Sequence, residues 1–114
     1  MDLTRLLRQL QQNPDTLLFS DCIGHIDKNY LFTPTSFTNG NQHNEAGQNN
    51  GSCKIFAFAQ LQNLTQQQTL SCFGEYYRLD VLEHPQAEDH QNIRQFIVNG
   101  WQGIKFEGYP LAPG

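Results

Sequence analysis

The fold depends first on residues 52–62, SCKIFAFAQLQ, the most apolar segment of this 114-residue chain. Its isoleucine, phenylalanines, alanines and leucine leave few helical positions polar, and a helix that is hydrophobic almost all round is buried inside its domain. Ser52 is a favourable N-cap residue. We therefore expect a central buried helix from Cys53 to about Gln62.

Helical periodicity extends to both sides of this segment. Leucines at i, i+3, i+4 and i+7 predict an N-terminal amphipathic helix, and capping residues followed by apolar stripes predict three more. These helices are expected after Asp2, over residues 14–29 with Asn13 as N-cap, over residues 65–78 from a Thr65 capping box, and over residues 89–100 from Asp89 to a stop at Gly100.

Two segments have the character of strands. Residues 30–37 are aromatic and Thr-rich, although Pro34 favours an edge or a bulge, and residues 103–108 alternate apolar and charged side chains between glycines. Residues 39–51 have no apolar period and are expected to form a long loop. The sequence predicts one α+β domain over residues 1–114, with about four to five helices packed on a small antiparallel sheet formed by segments near 30–38 and 103–107.

The charge pattern excludes two classes of partner. Charged residues make up only 16% of the chain, the net charge is −4 and no basic run is present. Binding to nucleic acid or to an anionic membrane surface needs clustered positive charge, so neither partner is expected. No segment approaches the ~20 apolar residues of a membrane span.

The cysteines indicate a reducing compartment. Cys22, Cys53 and Cys72 are an odd set without a Cys-x-x-Cys pair, so we interpret them as free thiols. Residues 1–5 contain an acid and an amphipathic pattern, which is not the beginning of a secretory leader. We expect a monomer in a reducing cytoplasm that needs no cofactor and no metal.

Cys53 is a candidate nucleophile, because a thiol in the first turn of a helix beside Lys54 should have a lowered pKa. His90 and His43 are its candidate bases, and on this interpretation one of them lies within about one hydrogen-bonded water of Cys53. The string Gly51-Ser52-Cys53 resembles the nucleophile segment of papain-like proteases, although Lys54 stands where those enzymes have an aromatic residue. The alternative interpretation is a small thiol packed in the core.

A polar surface is expected where loop 39–54 meets segment 89–94, both beside predicted helix N-termini. Such a surface could bind a ligand, an anion included, or its groups could be satisfied by turns, caps and their own hydrogen bonds. The histidines lack the spacing that places metal ligands on one face. The candidate ligand-binding residues are Asn44, Gln48, Asn49, Ser52, Lys54, Asp89, Asn92 and Arg94.

Two long blocks resemble the HopJ (HopPmaJ-like) type III effector family. The first combines NYLFTPTSF (29–37), AGQN (46–49), GSCK (51–54) and FAFAQL (56–61). The second combines CFG (72–74), YYR (76–78), DVL (80–82), DHQNIR (89–94), GW (100–101) and GIKFEG (103–108). Together these strings span most of residues 29–111.

The resemblance implies a small α/β protein of a family named for virulence effectors that bacteria translocate into host cells. It implies no catalytic residues. We expect a binding or interaction protein whose partner is a host protein, a bacterial protein or a small polar ligand. The alternatives are a small cysteine-dependent hydrolase or transferase that uses Cys53, and a housekeeping ligand-binding protein of the bacterial cytoplasm.

Overall fold

Five α-helices carry most of the structure. The computed structural model describes residues 2–114, so residue 1 lies outside the described part of the chain. The helices are α1 (Leu3–Gln12), α2 (Phe19–Asn29), α3 (Asn50–Leu61), α4 (Gln66–Ser71) and α5 (Gln91–Asn99). A π-helical segment spans Tyr76–Val81, and 3-10 turns span Pro14–Thr16 and Gly100–Gly103. The predicted α+β class is confirmed.

The strands form two small antiparallel sheets instead of the single expected sheet. They are β1 (Tyr30–Phe32), β2 (Phe37–Asn39), β3 (Gln42–Asn44), β4 (Ile104–Phe106) and β5 (Leu111–Pro113). The predicted strand 103–108 pairs as β4 with β2, in the order β3-β2-β4. The aromatic segment divides around Pro34, and its first part, β1, pairs with the C-terminal β5.

The prediction of a continuous loop over residues 39–51 is wrong for residues 42–44, which form strand β3. Gly40 takes a left-handed φ of 58° in a tight turn, and β3 returns along β2 with His43 opposite Thr38. The buried helix begins three residues earlier than expected. Asn49, with φ 53°, is the N-cap of α3, and Ser52 lies within its first turn.

Two predicted helices are interrupted. The segment 14–29 contains a 3-10 turn and an extended connection before α2 begins at Phe19. The segment 65–78 ends its α-helix at Ser71, because Gly74 has a φ of 58° and packs against the backbone of Leu18 and Phe19. A Cβ at Gly74 would collide with that backbone, so the chain turns there and re-forms as the π-helical segment.

The core surrounds α3, as the apolar segment predicts. Phe56 lies at its centre, with ring centroids 5.3 Å from Phe73, 4.9 Å from Phe96 and 6.1 Å from Phe37. These contacts hold α3 against α5 and β2. The N-terminus of α3 is thereby placed beside the N-terminus of α5.

Candidate functional site

A polar cleft lies between the N-termini of α3 and α5. Its volume is about 400 Å³, in the lower part of the range of small-molecule sites. Its polar lining comes from Gln42, Asn49, Ser52, His90, Gln91 and Asn92, and its apolar lining from Phe19, Gly51, Phe73, Tyr76 and Ile93. The loop 39–54 and the segment 89–94 therefore meet at this surface.

Both helices begin at the cleft, each with an N-cap residue in the left-handed backbone conformation. Asn49 and His90 are the N-caps of α3 and α5, and both have left-handed backbones, with φ of 53° and 52°. Asn and His tolerate this region better than most residues. Neither side chain caps its own helix. The first-turn N–H groups of both helices therefore lie at the cleft.

A cluster of buried asparagines supports one wall, and we call Asn39, Asn44 and Asn92 the asparagine cluster. Asn44 Oδ1 accepts from Asn92 Nδ2 at 2.9 Å and from Asn49 Nδ2 at 2.7 Å. Asn39 Nδ2 donates to Asn92 O at 2.7 Å and to Asn92 Oδ1 at 3.1 Å. These bonds join β2, β3 and α5 and fix Asn92 at the cleft.

The asparagine cluster leaves one polar atom unpaired. Asn39 Oδ1 is buried and has no hydrogen-bond partner among residues 2–114. The same side chain donates twice to Asn92, so reversing its amide would aim an acceptor at the Asn92 oxygens. The amide orientation is therefore set by Asn92.

The cleft also has three aromatic lining residues, Phe19, Phe73 and Tyr76, which we call the aromatic wall. The ring of Phe19 lies 6.3 Å from Phe73 and 5.0 Å from Tyr76, the latter with the planes inclined by 64°. Tyr76 in turn lies 5.2 Å from the imidazole of His90, inclined by 32°. Tyr76 is exposed whereas Tyr77 is buried. Tyr76 and Phe19 therefore present apolar surface to a molecule in the cleft.

His90 is held by carboxylates at the edge of the cleft. Its Nε2 lies 2.9 Å from Asp80 Oδ2 and 3.8 Å from Asp89 Oδ2. Arg94 binds the other oxygen of Asp89 at 2.7 Å, and this guanidinium holds the pKa of Asp89 below its usual range. Arg94 also donates to the carbonyls of Asp89 and His84. The Arg94–Asp89 ion pair and the contacts of His90 with both carboxylates form one network that orients the imidazole.

The same network contains the one metal-ligand grouping found within residues 2–114. Ligand atoms of Asp80, Asp89 and His90 lie within 4.8 Å of one another. They could coordinate a divalent cation, but Arg94 already binds Asp89 and the positive end of α5 lies at His90. The contacts within the network account for its arrangement.

The burial of Cys53 favours the second interpretation, a small thiol packed in the core. Cys53 lies in the first turn of α3, but its side chain is only 1% exposed and its thiol faces Thr35 O at 3.7 Å. Burial raises the pKa of Cys53 to about 11, although the contact with Thr35 works in the opposite direction. No hydrogen bond joins Cys53 to either imidazole in the described chain. The cleft is lined instead by its neighbours Gly51 and Ser52.

The other predicted residues divide between the cleft and the rest of the surface. Asn49, Ser52, His90 and Asn92 line the cleft, Asn44 lies directly behind it, and Asp89 and Arg94 support His90. His43, Gln48 and Lys54 are absent from the lining and bind other partners. His43 pairs with Glu45 at 3.1 Å, Gln48 Oε1 accepts from Glu45 N at 3.0 Å, and Lys54 pairs with Asp27 at 2.8 Å.

Several lining residues did not emerge as site candidates from sequence reasoning. Gln42 lies in a polar run and Phe19 continues an apolar stripe. Asp80, which holds His90 from outside the lining, stands ten residues before it in the sequence. Gln91 stands within the polar string 89–94, which was the signal that could have identified it. Tyr76 has the same local pattern as the buried Tyr77, so its exposure was not readable.

The fold and the cleft define a small single-domain α+β protein with a polar, partly aromatic cleft and a buried thiol beside it. No helix within residues 2–114 is long and apolar enough to cross a membrane. The chain belongs to the HopJ type III effector protein family, whose sequence profile matches residues 3–111.

A solved structure shows the same fold. The chain is 51% identical to a crystal structure described as the unknown-function protein VPA0580, with a TM-score of 0.98. The similarity covers 100% of this chain and 95% of that one. No curated protein matches the chain.

Proposed function

We propose that this chain is a binding protein that takes a polar ligand, or a polar side chain of a partner protein, into the cleft between α3 and α5. The observation that carries this proposal is an open cleft in which part of the polar lining is not used by the protein. Ser52 Oγ and Asn49 Oδ1 have no hydrogen-bond partner within residues 2–114, while the wall behind them is rigidly bonded. A rigid, partly unsatisfied polar cleft with an aromatic wall is a suitable binding site.

The alternative use of Cys53 as a nucleophile is not supported by the geometry. The thiol is buried, its pKa is raised to about 11, and neither candidate base is hydrogen-bonded to it. The thiolate is the reacting species, so a protonated, inaccessible sulfur cannot begin catalysis at neutral pH. Binding requires no such group.

Backbone NMR of the uniformly ¹⁵N-labelled protein tests the proposal with a library of small polar fragments. Fragments that bind should shift the amide resonances of Gly51, Ser52 and Gln91 together, because these residues line one cleft. Shifts confined to other surfaces, or no shift from any fragment, would refute the cleft as the binding site.

A matched pair of variants localises the effect. Asn49→Gly keeps a left-handed N-cap backbone and removes the side-chain amide at the cleft, so it should weaken binding by several-fold. Asn63→Gly makes the same change at φ 55°, away from the cleft, and should leave binding unchanged. Equal losses in both variants would indicate a general effect on the fold.

Membership of the HopJ family favours an effector role, and we propose that the binding event takes place after a bacterium translocates the chain into a host cell. A fusion to a calmodulin-dependent adenylate cyclase reports translocation, since cyclic AMP rises only when the fusion reaches host cytoplasm. The expected signal requires an intact type III secretion system. A signal that persists in a secretion-deficient strain, or no signal with either strain, would leave the cytoplasmic ligand-binding role in its place.

A further inference from the structure

The charge distribution around the cleft restricts the ligand that it can hold. The lining contains no Asp, Glu, Lys or Arg. Its polar groups are amides, the hydroxyls of Ser52 and Tyr76, and the His90 imidazole, whose Nε2 is held by Asp80. The nearby basic side chains are also engaged, Lys54 with Asp27 and Arg94 with Asp89. No side chain of the lining is therefore available to neutralise a charged ligand.

Fixed charges behind the walls oppose ligands of either sign. The positive ends of α3 and α5 both face the cleft and disfavour a cation. Carboxylates lie just behind the aromatic wall and disfavour an anion: Glu75 Oε1 accepts from Phe19 N at 2.8 Å, and Asp80 lies 2.9 Å from His90. A neutral ligand meets neither penalty.

The hydrogen-bonding groups suit a ligand that carries several hydroxyls. Gln42, Asn49, Gln91 and Asn92 each bring an amide with donors and acceptors, and Ser52 adds a hydroxyl. Hydroxyl groups also donate and accept, so a polyhydroxylated ligand can pair with amides arranged on two sides of the cleft. A purely apolar ligand would leave these groups unpaired at a cost.

The aromatic wall can receive one apolar face of a ligand. Tyr76 is exposed, and its ring is inclined by 64° to Phe19 and by 32° to His90, so the wall offers one exposed ring and no continuous series of parallel rings. Successive bases of a nucleic acid stack on several aromatic side chains. The C–H face of a single sugar packs on one aromatic face, and the hydroxyls on its other sides can use the surrounding amides.

We infer that the cleft between α3 and α5 binds a neutral saccharide, with its C–H face on Phe19 and Tyr76 and its hydroxyls on the surrounding amides. This inference rests on the proposed binding function and specifies its ligand class. A cleft of about 400 Å³ accommodates a ligand of one or two sugar rings.

The experiment titrates the ¹⁵N-labelled protein with maltose, cellobiose and N,N′-diacetylchitobiose as neutral probes, and with glucose 6-phosphate, glucosamine and adenosine as charged or planar probes. At least one neutral disaccharide should shift the amides of Gly51, Ser52 and Gln91 at millimolar concentration, more strongly than any other probe. Tyr76→Leu should weaken that binding about tenfold. Tyr109→Leu changes a tyrosine that is 93% exposed outside the cleft, and it should have no effect.

Each other outcome overturns the inference, and the fragment library identifies what survives. If adenosine or glucose 6-phosphate shifts the cleft and no neutral saccharide does, the ligand class is wrong and the binding function remains. The same conclusion follows if fragments shift the cleft and none of these six probes does. If neither fragments nor probes shift it, the binding function fails as well. Should Tyr76→Leu unfold, the shifts measured on the unaltered protein still decide the question.

Discussion

Asn44→Ala tests the asparagine cluster as a structural support of the cleft. Asn44 is fully buried in β3, and its side chain takes part in five hydrogen bonds. Its Oδ1 accepts from Asn49 and Asn92, and its Nδ2 donates to Phe37 O, to Asn92 Oδ1 and, at 3.5 Å, to Gln42 O. Alanine removes all of them at once. Solvent can replace the partner of the exposed Asn49, but it cannot reach the groups that Asn44 leaves inside the protein.

The expected loss of stability follows from the groups left unpaired. Asn92 Nδ2 loses its acceptor in a buried environment, and an unsatisfied buried polar group costs about 1–3 kcal/mol. Phe37 O stays opposite the backbone of residue 44 in the β2–β3 ladder, and Asn92 Oδ1 keeps its bond from Asn39, so both add little. We expect a decrease of about 1–3 kcal/mol in the free energy of unfolding, measured by urea denaturation.

Gln42→Ala is the matched control on the same strand. Gln42 is only partly buried, and its one side-chain bond, to His43 O, is 3.5 Å long. We expect its effect to stay within about 0.5 kcal/mol. A loss below 1 kcal/mol for Asn44→Ala would show that water satisfies the cluster, and the account of a rigid, dry support behind the cleft would be wrong.

Three further predictions concern the backbone and the buried thiols. Gly74→Ala should destabilise the protein by at least ~3 kcal/mol in urea denaturation, because the new Cβ would lie 2.8 Å from Leu18 C and the residue has a positive φ. Gly24→Ala is the control: it has free space inside α2 and should stabilise the protein by about 0.5–1 kcal/mol. Equal effects of the two substitutions would refute the close approach at Gly74. The Cys53 thiol has a pKa of about 11 in the folded protein, whereas an unfolded cysteine ionises near pH ~8.5–9. The stability that this group contributes is therefore complete below pH ~8.5 and is lost as the pH rises from there towards 11. Between pH 7.5 and 10 the unaltered protein should lose roughly 1–1.5 kcal/mol more of its free energy of unfolding than Cys53→Ala, and identical pH profiles would contradict the raised pKa. All three cysteines are buried, so iodoacetamide at neutral pH should label none in the folded protein and all in urea, and a single rapid adduct at Cys53, seen by mass spectrometry, would restore the reactive thiol.

Local patterns predicted the elements whose signals lie within a few residues. The leucine spacing located α1, the apolar run located the central α3, and Gly100 marks the end of α5 as expected. Each of these signals depends on caps, turns or periodicity along one helix. These signals can therefore be interpreted without knowledge of the neighbouring elements.

The misjudged elements depend on contacts between distant residues. Strand β3 has the polar sequence Gln42–Asn44, and its burial comes from amide bonds with α5, 48 residues further along. The break at Gly74 comes from close packing against Phe19. The face of α3 on which Cys53 lies was also hidden, because a helix that is apolar almost all round gives no sign of which side chains are innermost.

The sequence by itself determined the α+β class, the family, the helix-rich content and the two polar segments that take part in the cleft. Only the tertiary structure decided that these segments meet, that Tyr76 faces outward, that Asp80 holds His90, and that Cys53 is a protonated core thiol. The physical reason is the separation along the chain over which each kind of interaction acts. Helix propensity and capping act within one or two turns of the chain, whereas the pKa of a thiol and the pairing of an amide depend on whichever atoms the completed packing brings within a few ångströms.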